Sequence, residues 1–301
     1  MKSLVGLAYS LPVKIFISFS VSILLLIFLL LYKYGVSIVL GIYSIASMTK
    51  FVDWFVIKVL LFSKSLYPDT IKNIEENMKK SFILHGDISQ PGLYLWHPHG
   101  MTASSPYVHT ILNNARDENI VLSTLPIWFK IPFLRDIFKL YKLIDSNYNT
   151  LKTNLENNKS VSLVVGGVEE MFYIEPKKLT LVLNKRKGYL RLALETRKPL
   201  IPVITYGENE LYQPSDDSIN TWLNRILKKN FNIMTPLVSI ESLKRWTVLN
   251  EMPLDEVNTH IGEPIVPLEN DTMETLKARY KTALEDLFNK TRPDGYTLNI
   301  I

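Results

Sequence analysis

From Ile15 to Tyr32 the chain carries no charged residue, and after Lys33 a second apolar stretch runs from Tyr34 to Met48. At about 1.5 Å of rise per residue, the first stretch as a helix approaches a hydrocarbon core about 30 Å thick comfortably, the second only marginally. Lipid admits few backbone solutions, because every peptide group there must find its partner within the segment or a closed structure. Two geometries follow: a helical hairpin entering the bilayer with Lys33 near its turn, or one tilted span followed by an interfacial segment. The hairpin leaves both flanks on one side, where Lys2, Lys14, Lys50, Lys58 and Lys64 meet anionic headgroups, and it is the expected arrangement. A cleaved signal peptide fits poorly. The apolar region outruns the usual h-region of about 7 to 15 residues and continues into Phe51 to Phe62 without a convincing cleavage site. Phe51, Trp54, Phe55 and Val59 recur at helical spacing, with Trp54 suited to an interface. Residues 1–66 are therefore expected to form a membrane anchor and interfacial segment.

Residues 67–301 are expected to form one α/β domain with a central sheet flanked by helices. Hydrophobic residues make up 47% and charged residues 21% of the sequence, which excludes general disorder. The chain has no cysteine, so disulfides, zinc-thiolate sites and a cysteine nucleophile are excluded. A formal net charge of +5 suits anionic headgroups, phosphate-bearing ligands or nucleic acid alike. No polybasic arm or arginine-rich helix supports a nucleic-acid partner.

Short β-rich runs alternate with helical patterns along this domain. Leu93 to Trp96, Ile120 to Leu122, Val161 to Val165, Leu179 to Leu183 and Leu200 to Thr205 read as strands. Pro106 to Arg116, Pro132 to Tyr141, Asn149 to Asn158, Gly188 to Thr196 and Ser218 to Lys229 read as helices. A final helix is expected over Thr272 to Lys290, with Leu276, Tyr280, Leu284 and Leu287 or Phe288 facing the body. The succession indicates an α/β fold and leaves the strand order hidden.

Three strand exits carry chemistry. The first is His97-Pro98-His99-Gly100: alternation in an extended chain would direct both imidazoles to one side, and Gly100 permits a close turn beside them. A plain loop-bonding role is open to such a pair. A metal reading needs a third ligand; no compact His/Asp partner follows, and His85, His109, His260 and distant carboxylates stay open to that role without support. The second exit is Gly166-Gly167-Val168-Glu169-Glu170, where paired glycines allow close backbone approach and Glu170 is placed to hold an imidazole in its useful tautomer. Glu169 reads better as a solvated neighbour. The third, Tyr206-Gly207-Glu208-Asn209, reads as a structural loop or as support for the centre. Lys185, Arg186, Lys187 and Arg191 form a landing site for phosphates or a plain basic surface, with Gly188 easing close approach.

These stretches in order, with Arg186-Lys187-Gly188-Tyr189-Leu190-Arg191-Leu192-Ala193, Leu200-Ile201-Pro202-Val203 and Gly262-Glu263-Pro264-Ile265, resemble the diacylglycerol acyltransferase 2 family. That family includes monoacylglycerol acyltransferases and wax synthases. The likeness extends from the membrane lead-in almost to the C-terminus. It implies that the HPHG segment and Glu170 contribute to an acyl-transfer centre, with acyl-CoA as co-substrate, no permanently bound cofactor, and a membrane-facing lipid pocket. It further implies diacylglycerol or a related lipid alcohol as acceptor, and an endoplasmic-reticulum membrane location with the active domain facing the cytosol and lipid-droplet association. Triacylglycerol formation stands ahead of the monoacylglycerol and wax reactions. The sequence departs from the family after Pro132 and Arg135, where Tyr141-Lys142 replaces glycine-rich sequence, and in shortened central loops.

A lipid hydroxyl must lose its proton as it attacks, and a histidine suits that transfer. His99 is the leading base and His97 its competitor, with Glu170 orienting the chosen ring and Arg135, Glu208 and Asn209 supporting it. Backbone N–H groups near Gly100 or Gly166 and Gly167 are expected to receive the oxyanion. Direct attack on the thioester needs no covalent enzyme intermediate. The alternative of a different class is a membrane-bound lipid-binding or scaffolding protein without turnover. Oligomeric state is not legible.

Overall fold

The β-branched and apolar runs become strands because each is bounded by turn residues and buries side chains on both sides. A computed structural model describes residues 80–113, 119–130, 141–214 and 256–301, with single positions 76, 135, 138, 139, 222 and 225. The expected anchor over 1–66 lies outside the described residues, as do most of the helices expected over Pro132 to Tyr141 and Ser218 to Lys229. Among the described residues no helix is long and apolar enough to cross a membrane.

The strands are β1 (Phe82–His85), β2 (Leu93–His97), β3 (Ile120–Thr124), β4 (Leu143–Asp145), β5 (Ser160–Val164), β6 (Lys178–Leu181), β7 (Leu200–Tyr206), β8 (Val257–Ile261) and β9 (Thr297–Ile300). A seven-stranded sheet has the order β1-β8-β7-β2-β5-β3-β4. Its neighbours pair parallel except β7 and β8, so the sheet is mixed. The expected strand at Leu179 to Leu183 exists as β6 but belongs elsewhere: it pairs parallel with β9 in a second, two-stranded sheet. Strands β1, β4, β8 and β9 were not legible in the sequence. They are short and carry polar residues such as Asn258, Thr259 and His260 that blur a strand signal.

Helices α1 (Ser104–Tyr107), α2 (Tyr148–Glu156), α3 (Gly188–Thr196), α4 (Glu208–Leu211) and α5 (Met273–Thr291) accompany the sheet. The expected helix from Pro106 starts two residues earlier and continues as a π-helical turn over Val108–Leu112. Thr272 caps α5 through a reciprocal box with Thr275, and Leu276, Tyr280, Leu284 and Phe288 are its buried face.

Period-2 alternation divides β2 between two cores. Leu93 and Leu95 join the large cluster that includes Leu155 of α2, Leu192 of α3 and Tyr280 of α5. Tyr94 and Trp96 enter a smaller cluster with Ile120, Ile201 and Val203. Because β2, β3, β4, β5 and β7 run in one direction, their carboxyl ends open at one edge, where ligands of open α/β sheets bind.

Candidate active site

The two histidines part company at that edge. His97 is the last residue of β2 and continues the Leu93 and Leu95 face, so it turns toward α5. It is fully buried, and its Nε2 lies 2.8 Å from the Tyr280 hydroxyl. Burial pushes its pKa down to about 3. His99 stands beyond the strand, after the chain has turned at Pro98, so alternation no longer governs it and the expectation of a shared side fails. It lines a cavity of about 700 Å³, which His97 does not. Its Nδ1 is 2.8 Å from the Gly100 carbonyl oxygen. A carbonyl only accepts, so Nδ1 carries the hydrogen and Nε2 keeps its lone pair. Burial lowers the His99 pKa, outweighing the opposing hydrogen bonds of the Gly100 and His99 backbone, which keeps the ring neutral at pH 7.

Glu170 does not hold an imidazole. It is 2% exposed, and its carboxylate accepts from the backbone N–H of His99 at 2.8 Å and of Val182 at 2.9 Å. It thereby ties the loop bearing His99 to the segment that follows β6. Burial raises its pKa to about 7, against the lowering effect of both amides and of Arg186. Gly166 is required for this reach: a Cβ there would overlap the Glu170 carboxyl group. Gly166 in right-handed helical geometry followed by Gly167 at φ +60° forms the αR-αL succession that turns consecutive N–H groups toward one point.

Glu208 supports the other flank. Its carboxylate accepts from Ser104 N at 2.7 Å, from Ser105 N at 3.0 Å and from the Ser105 hydroxyl. This satisfies the first amides of α1 from a point far along the chain, which is why α1 starts ahead of its local signal. Gly100 has φ +58°, and a Cβ on it would come within 2.6 Å of Glu208 Cγ. Asn209 Nδ2 donates to the Lys178 carbonyl at 2.9 Å, holding β6 rather than the histidines.

Basic and apolar residues line the cavity together. Lys185, Arg186, Lys187 and Gly188 line it with Gly167 and His99, and so do Leu122, Leu151, Leu163 and Leu192; the two lysines are exposed, while Leu122, Leu151 and Leu192 are buried. A Cβ on Gly188 would meet nothing within 4 Å. Arg186 donates to the Gly166 carbonyl at 2.7 Å and pairs with Glu169 at 3.3 Å. Glu169 also faces Lys185 at 3.4 Å, so this acid serves the basic loop.

Arg191 departs from expectation. Its side chain pairs with Glu195 at 2.7 Å and lies over the Tyr148 ring at 4.6 Å, and it does not line the cavity. Helical geometry explains this, since Arg191 falls on the outer face of α3 while Tyr189 and Leu192 face inward. Arg135 is half-buried and is not among the described residues that line the cavity. Two features at the cavity escaped sequence reasoning: the Gly100 carbonyl, which engages His99, and Tyr189, which lines the cavity. Tyr189 had a signal, within the run after Arg186; a backbone carbonyl has none.

The sequence profile described as diacylglycerol acyltransferase matches residues 66–296. Human 2-acylglycerol O-acyltransferase 1 is 26% identical over 215 residues, covering 67% of this chain and 64% of its own length. Diacylglycerol O-acyltransferase 2 of Dictyostelium discoideum is 29% identical, with 66% and 65% covered. Acyl-CoA wax alcohol acyltransferase 2 of Mus musculus is 30% identical, with 68% and 66% covered. The chain thus spans just under two thirds of the length of these relatives. The crystal structure of 1-acyl-sn-glycerophosphate acyltransferase from Thermotoga maritima aligns over 90% of this chain and 95% of that one, at a TM-score of 0.44 and 14% identity, too loosely to bear on the site. With the profile matching well over half of its 301 residues, the chain belongs to the diacylglycerol acyltransferase family.

Proposed function

We propose that this protein is an acyl-CoA-dependent O-acyltransferase of neutral-lipid synthesis, converting diacylglycerol to triacylglycerol. The observation that carries the reading is His99: its Nδ1 is engaged by the Gly100 carbonyl, and it lines a cavity together with Lys185, Arg186, Lys187 and a set of leucines. Phosphates of acyl-CoA are attracted to Lys185, Arg186 and Lys187, and the fatty chain to the leucines. Nε2 of His99 takes the proton of the acceptor hydroxyl as its oxygen attacks the thioester carbonyl. The carbon–sulfur bond then breaks, the thiolate of CoA leaves, and the histidine proton returns to it. Backbone N–H groups at Gly166 and Gly167 receive the charge on the carbonyl oxygen. Glu170 positions this machinery through backbone amides.

Residues 1–66 serve as the membrane anchor and 67–301 as the acyltransferase domain, at the endoplasmic-reticulum membrane with the site facing the cytosol, and at lipid droplets. Membrane lipids deliver the acceptor, and acyl-CoA is a co-substrate with no permanently bound cofactor. The test incubates the full chain in nanodiscs with labelled acyl-CoA and, separately, diacylglycerol, monoacylglycerol and a fatty alcohol. Labelled triacylglycerol as the main product is expected. Preference for another acceptor would replace diacylglycerol in the proposal, and no transfer to any acceptor by folded, acyl-CoA-binding protein would leave a lipid-binding or scaffolding role.

A further inference from the structure

Tyr189 has no part in the machinery described so far. It enters α3 directly after the Lys185–Gly188 loop and lines the same cavity as His99. It is 3% exposed, and its hydroxyl finds no hydrogen-bond partner among the described residues. A buried hydroxyl without a partner costs roughly 1–3 kcal/mol, and native structures rarely carry that cost without a use for the group. The neighbouring ring makes the contrast clear. Tyr280 packs against Tyr189 with centroids 5.4 Å apart, yet its hydroxyl is satisfied by His97 at 2.8 Å. Of these two packed tyrosines, Tyr280 has a hydroxyl partner and Tyr189, which alone of the two lines the cavity, has none among the described residues. Burial also pushes the Tyr189 pKa far above its ordinary value, so the phenol keeps its hydrogen and is available as a neutral donor.

Its position indicates what it serves. The basic loop precedes it immediately in the chain, and its contact with Tyr280 links it to the end of β2, from which the His99 loop departs. Tyr189 lines one cavity together with His99, Lys185, Arg186 and Lys187. We infer that the Tyr189 hydroxyl donates a hydrogen bond to a carbonyl oxygen of bound acyl-CoA, that of the thioester or that of an amide in the pantetheine arm. The inference rests on the acyl-transfer reading above.

The test is Tyr189→Phe in the full chain, in nanodiscs, with octanoyl-CoA as donor and free CoA as inhibitor. Deleting a buried orphan hydroxyl leaves the thermal midpoint unchanged or raised, while kcat/KM falls about 10-fold. A drop in kcat with the CoA inhibition constant unchanged identifies the thioester carbonyl. A joint rise in the octanoyl-CoA KM and the CoA inhibition constant identifies the pantetheine amide. Unchanged kcat, KM and inhibition would overturn the inference, as would a lowered midpoint, which would reveal an existing protein partner. Should the wild type transfer no acyl group to any acceptor, the acyl-transfer reading fails by itself. Calorimetric binding of octanoyl-CoA to the two proteins then decides: weaker binding by the variant sustains the contact, and equal binding ends it.

Discussion

Two residues apart in the chain, the end of β2 and the loop above it behave as different materials. The strand end is core: His97 is sealed beneath α5, and its contact is a tyrosine that belongs to the packing. The loop faces the cavity: His99 lines it with one nitrogen engaged by the adjacent carbonyl and the ring held neutral. Identical side chains in one tetrapeptide thus acquire opposite surroundings. What separates them is the point at which pleating ends, since a strand assigns direction by alternation and a turn does not.

The largest effect should come from His99→Ala. On the general-base reading kcat falls about 10²- to 10⁴-fold while the thermal midpoint moves little, measured by labelled acyl transfer and a melting scan. The wild-type rate should also decline on the acid side with a midpoint below 6.5, because burial lowers the pKa at which His99 takes up a proton. Full activity of the alanine variant would erase the distinction between strand end and loop.

Glu170→Gln comes next, because it weakens the joint between the His99 loop and the segment at Val182. Activity should fall about 10-fold with a measurable loss of stability, since one of two buried amides loses a charged acceptor. The native carboxyl holds its proton up to about 7, whereas the free group releases it near 4.5. The folded state therefore binds more protons across that window, and this group's contribution makes stability fall as pH rises through it. Urea midpoints between those pH values should show a shallower descent in the glutamine variant, and an unaltered slope would remove Glu170 as its source.

His97→Phe should act on the other side of the comparison. It strands the Tyr280 hydroxyl and lowers stability by about 1–3 kcal/mol by chemical denaturation, with kcat reduced less than about 10-fold. Adding Tyr280→Phe should recover most of that loss, because removing both partners is nearly neutral. A collapse of kcat without loss of stability would return His97 to the reaction.

The smallest effect belongs to Arg191→Ala. Its pair with Glu195 is exposed and screened by solvent, so stability should hardly move and the acyl-CoA KM should not change, whereas Arg186→Ala should raise that KM about 10-fold. Equal KM increases would place both arginines on the donor.

The sequence by itself determined the α/β alternation, α3 and α5 with the inward face of the latter, and the gathering of HPHG, Gly166-Gly167 and the basic loop into one candidate centre. Those features are local: hydrophobic period, turn residues and charge clusters act within a few positions. Only the tertiary structure decided the strand order, the second sheet of β6 and β9, and which histidine faces the cavity. It also showed Glu170 gripping the backbone instead of a ring and Glu208 capping α1. Each of these depends on partners brought from distant parts of the chain, such as Tyr280 against His97, and no spacing rule carries that information.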